Sequence, residues 1–67
     1  MNKYDQATQQ VIDWLEIIPS MTHKQVKSKI KKGFTEKYGG KVAKGVLNMH
    51  IDDFTESVCL KLNIPQD

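Results

Sequence analysis

His50, Asp52 and Asp53 form the one cluster in this 67-residue chain whose side chains carry metal-ligand chemistry. An imidazole and two carboxylates suit a divalent ion, but separations of two and three residues at a helix start do not converge readily on one centre. The two acids have a simpler use in the first turn of a helix, where negative charge meets the positive end of the dipole. A structural zinc site needs about four Cys or His ligands, and the chain has two His and one Cys. Cys59 therefore has no disulfide partner in the chain and reads as a small buried hydrophobe. His23 and His50 both stand near expected helix starts, as exposed caps. No Gly-x-Gly-x-x-Gly run, Walker loop or nucleophile elbow occurs, and Gly39-Gly40 lacks the preceding strand that a phosphate cradle requires. No residue is assigned a catalytic, metal or cofactor role, and the chain is expected not to be an enzyme.

The remaining chemistry is electrostatic. Residues 22–44 hold Lys24, Lys27, Lys29, Lys31, Lys32, Lys37, Lys41 and Lys44 against one acid, Glu36. That segment carries +7, the stretch before it −2 and the stretch after it −3, so a total of +2 conceals segregated charge. A positive surface of this kind attracts phosphate backbones through counterion release, or carboxylates on an acidic protein. Lys24, Lys27 and Lys31, at spacings of three and four, line one outward helix edge, and Lys41 and Lys44 follow across the Gly39-Gly40 turn. These five are the candidate contact residues; Lys29 and Lys32, on another edge, are the expected spectators. The chain has no arginine, so the bidentate guanine contact that dominates specific readout is missing. Gln25 and Asn48 are the nearby amides able to read adenine. Nucleic acid, if bound, should be held by its backbone with little sequence preference. A plain solvated face that keeps a small domain soluble explains the same lysines.

Four helical segments are expected to position these residues, giving an all-α domain of three to four helices with a layout compatible with a helix-turn-helix. The first, over about 5–18, begins at Asn2 or Asp5 and ends where Pro19 pushes Ile18 out of helical geometry. Its inward face would be Ala7, Val11, Trp14, Leu15 and Ile18, with Trp14 anchoring the core. The second, over 23–38, has the strongest start signal in the chain: Thr22 and Gln25 as a capping box, Met21 and Val26 as a hydrophobic staple. Val26, Ile30 and Phe34 face inward, Gly33 permits close approach of another helix, and one glycine of Gly39-Gly40 takes the left-handed conformation. A third helix over 41–48 is weakened by Gly45, and Asn48-Met49-His50 reads as a turn into a fourth over 51–63, whose core stripe is Ile51, Phe54, Val58 and Leu62. One continuous helix is the alternative for this last half.

Leu60 and Ile64 fall off that stripe. Either they are buried on a second side of the last helix or they form a contact surface for a second copy or a partner. A chain this short lies near the lower limit for folding unaided, which favours packed helices or a homodimer. No apolar run approaches the ~18 residues of a membrane span. The polar start carries no export signal, and the lone thiol suits a reducing, cytoplasmic setting. Two functions follow as expectations. The first is a small accessory or regulatory protein that binds nucleic acid through the lysine face. The second is an adaptor or inhibitor of the phage or mobile-element type that engages an acidic or apolar protein surface.

Overall fold

A computed structural model describes residues 3–65, with side chains from Asp5 onward. The chain forms three helices, α1 (Lys3–Leu15), α2 (His23–Tyr38) and α3 (Lys44–Lys61), with no strand among the described residues. Its radius of gyration, 11.4 Å, is close to the ~11 Å of a compact chain of this length. The core comprises Val11 and Ile12 of α1, Ile17 in the connection, Val26, Ile30 and Phe34 of α2, Leu47, Ile51, Val58 and Cys59 of α3, and Ile64 beyond it.

α2 follows the sequence most closely. The Gln25 amide donates to the Thr22 hydroxyl at 3.2 Å, and the Thr22 amide donates to the Gln25 side chain at 2.9 Å, completing the capping box. Met21 is partly buried against the core and Val26 wholly so. The helix stops at the two glycines: the Gly39 amide donates to Thr35 O at 2.8 Å, and Gly40 has φ 80°. Gly33 lets α1 pack tightly, since a Cβ there would lie 2.5 Å from Leu15 Cδ2.

α1 ends three residues earlier than its proline suggests. Glu16 adopts φ 55°, the Ile17 amide donates to Ile12 O at 3.0 Å and the Glu16 amide to Asp13 O at 3.4 Å. This is a Schellman closure, whose hydrophobic contact joins the residue after the left-handed one to the last turn. Ile17, buried, therefore takes the place expected of Ile18, which is exposed. The inward face is Thr8, Val11 and Ile12 with Ala7 and Leu15 partly buried, whereas Ile18 is exposed and Trp14 stays 45% exposed. The suggested cap Asn2 lies outside the described residues. Asp5 falls in the first turn, where it meets Lys61 of α3 at 3.0 Å.

The third and fourth segments are one helix. It starts at Lys44, behind Ala43, whose side chain supplies no capping bond. Gly45 thus sits in the first turn, where its cost is less than in a helix interior. Asn48, Met49 and His50 contain neither Gly nor Pro, and Leu47, Ile51, Val58 and Cys59 bury one face continuously across the supposed turn. Burial outweighs the middling propensities of Asn and His. The helix ends as α1 does: Asn63 has φ 57°, the Ile64 amide donates to Cys59 O at 2.8 Å and the Asn63 amide to Leu60 O at 3.4 Å.

Candidate functional site

The lysines divide by what holds them. Lys29 donates to Leu15 O at 2.9 Å, satisfying a carbonyl at the end of α1. Lys61 is paired with Asp5. Lys37 places its ammonium 4.9 Å from the Trp14 ring centroid and 5.6 Å from that of Tyr38, within cation–π range. Lys27 lies 3.5 Å from Asp52 of α3, with both side chains more than half exposed. Lys24, Lys31, Lys32, Lys41 and Lys44 are exposed and stand in no ion pair among the described residues. Of the five candidate contact residues, four keep a free charge and one is shared with an acid. Lys24 and Lys31 stand two turns apart on α2, about 10 Å by helical rise; Lys41 lies in the turn and Lys44 opens α3. Gln25 is held within the capping box, and Asn48 is exposed within α3.

The Leu60–Ile64 pair is split. Leu60 is 67% exposed, whereas Ile64 is 5% exposed and closes the core behind the Schellman turn. Ile64 therefore offers nothing to a partner. Cys59 is fully buried, and burial pushes its thiol pKa up, so the residue carries no reactive thiolate. Among the described residues no three His, Cys, Asp or Glu side chains gather as a metal site. His50 and Asp52, expected at a helix start, lie inside α3. There His50 lines a groove and Asp52 meets Lys27. No helix is long and apolar enough to cross a membrane among the described residues.

That groove, of about 410 Å³, is the feature that sequence reasoning missed. One wall is α1, at Ala7, Gln10 and Trp14; the other is α3, at Leu47, His50 and Phe54. Phe34 and Val11 form its floor, and Lys37, Tyr38 and Val42 close one end. The rings are interlocked: Phe34 lies 6.0 Å from Trp14, 5.8 Å from Tyr38 and 5.4 Å from Phe54, centroid to centroid. Such offset and edge-on pairs fix ring positions, so the groove is held open by packed aromatics rather than by loops. The four-residue spacing of Phe34 and Tyr38 and the apolar stripe of α1 signalled these residues, but as core. What the spacing could not show is that α1 and α3 stand apart at this end. The first turn of α1 meets the last turn of α3 through Asp5 and Lys61, while Trp14, Val42 and Leu47 line the groove. No protein-family model, curated protein or solved structure matches this chain.

Proposed function

We propose that the protein is a non-enzymatic binding protein that holds nucleic-acid backbone through Lys24, Lys31, Lys41 and Lys44, with Lys27 in reserve. The observation that carries this reading is that Lys24 and Lys31 on α2, Lys41 in the turn and Lys44 at the start of α3 are exposed and in no ion pair among the described residues, whereas Lys29, Lys37 and Lys61 are already engaged. Lysine acts on phosphate as a point charge, and the chain has no arginine to read guanine, so binding is backbone-directed. Such a role suits a cytoplasmic protein. An acidic protein partner is the alternative occupant of the same lysines.

A salt titration on duplex and single-stranded DNA and RNA tests it. Four neutralised phosphates give a slope of log affinity against log salt of roughly −3 to −4 on duplex DNA. Lys31→Glu with Lys44→Glu should weaken binding to all sequences alike while helicity is retained. Absence of salt-sensitive binding to every nucleic acid near physiological ionic strength overturns the reading in favour of the acidic protein.

A further inference from the structure

We propose that the groove between α1 and α3 is a self-association surface, filled by the Val46–Met49 ridge of a second copy around a two-fold axis. The proposal is independent of the nucleic-acid reading, since none of Lys24, Lys31, Lys41 or Lys44 lines the groove.

Three observations converge. First, the groove and a matching ridge lie side by side on one surface. Trp14, Tyr38 and Val42 line the groove and are each more than a third exposed. Val46 and Met49, 42% and 55% exposed, stand four residues and one residue before His50, which forms the groove's α3 wall. Spaced by three, they share a face of α3. A ridge beside a groove is self-complementary under a two-fold axis, each ridge entering the other copy's groove.

Second, the dimensions agree. The groove spans Ala7 to Trp14 on α1 and Leu47 to Phe54 on α3, about 10 Å on either wall by helical rise. The ridge together with Asp53, one turn beyond it, spans the same distance from Val46 to Asp53.

Third, the charges agree. Among the lining residues Lys37 is the one formal charge, and no carboxylate is present. Its ammonium rests on Trp14 and Tyr38 and has no acid among the described residues. Asp53, one turn beyond Met49, is exposed and likewise stands in no ion pair there. With the axis perpendicular to α3, the two α3 helices run antiparallel. Asp53 of the second copy then arrives at the end of the groove where Lys37, Tyr38 and Val42 lie. The contact forms twice by symmetry.

The single tryptophan reports on this site directly. The whole chain is followed by sedimentation and by Trp14 emission across roughly three decades of concentration. The expected result is a dimer whose formation shifts Trp14 emission to shorter wavelength, both signals sharing one midpoint. Met49→Lys should raise the dimer Kd at least about tenfold, while Lys32→Glu, exposed on α2 and not lining the groove, should leave it unchanged. Lys37→Glu and Asp53→Lys should each weaken the dimer, and the double variant should recover it. Circular dichroism checks that every variant stays helical. A monomer at all concentrations overturns the proposal, as does a dimer that ignores Met49→Lys or is broken by Lys32→Glu. A monomer whose Trp14 emission moves only on adding an acidic amphipathic peptide, or only on adding oligothymidylate, also overturns it. Those outcomes assign the groove to a partner protein or to nucleobases.

Discussion

Glu16→Gly should stabilise the fold, although it removes a side chain and inserts a glycine. Glu16 sits at φ 55°, where a β-carbon crowds the backbone; left-handed geometry costs an L-residue about 1–2 kcal/mol. Glycine escapes that cost but carries more freedom into the unfolded chain, an opposing effect of about 0.4–1 kcal/mol. The net gain is about 0.5–1 kcal/mol, or roughly 2–8 °C in Tm for a domain this small. A second effect must be separated. Glu16 is also an acid beside the negative end of α1, and any neutral residue relieves that repulsion. Glu16→Ala is the control, because it removes the charge and keeps the β-carbon. Urea and thermal denaturation of the three proteins should place Glu16→Gly above Glu16→Ala by about 0.5 kcal/mol or more. Equal stabilisation by both variants would trace the effect to charge alone and refute the backbone argument. Asn63→Gly, at the same position of the other Schellman closure, should gain less, because asparagine tolerates this region.

Ile64→Ala should cost about 2–5 kcal/mol of a total that for this length is roughly 3–10 kcal/mol, while Leu60→Ala should change stability by less than about 0.5 kcal/mol; equal losses in denaturant melts would contradict the burial of one and exposure of the other. Lys61→Met should cost about 0.2–1 kcal/mol, and that cost should shrink in high salt, because the Asp5 pair is partly exposed. Cys59 should resist a thiol reagent in the native protein and react at once in urea, and rapid native labelling would place it at the surface. Because its folded pKa is raised, the native state keeps the proton where the unfolded chain has lost it. Stability should therefore fall as pH rises past the ordinary cysteine range, with a shallower fall in Cys59→Ala.

α2 was legible residue by residue because its signals are local: a capping box, a staple, a four-residue stripe and two terminal glycines. The end of α1 was not, since nothing in the pattern marks Glu16 as left-handed. A proline three residues on offered a plausible stop instead. One misplaced end exchanged Ile18 for Ile17 and turned Trp14 from core anchor into groove wall. α3 was divided because Asp52 and Asp53 resemble a first turn, whereas Asp52 in fact answers Lys27 on the neighbouring helix. The lysines were all visible, but not their employment: Lys29, Lys37 and Lys61 are each engaged by groups remote in sequence or packed beside them. Periodicity reports which side of a helix is apolar. It does not report where two helices part.

The Asp5–Lys61 pair joins residues 56 apart in the chain, so it closes a far longer loop than the Lys29 bond to Leu15 O, 14 residues apart. Closing a long loop costs more chain entropy than closing a short one. α2 and α3 are joined by the five residues 39–43, so their meeting through Phe34 and Phe54 can come early. α1 is joined to α2 by residues 16–22, so the Lys29 bond to Leu15 O closes a short loop too, and the Lys61 bond to Asp5 is the one that closes a long one. On unfolding, the first turn of α1 is therefore expected to part from the last turn of α3 before the short-range contacts are lost. Amide exchange in α1 should then be faster than in the buried turns of α2 and α3, and uniform protection across all three helices would show that they come apart as one.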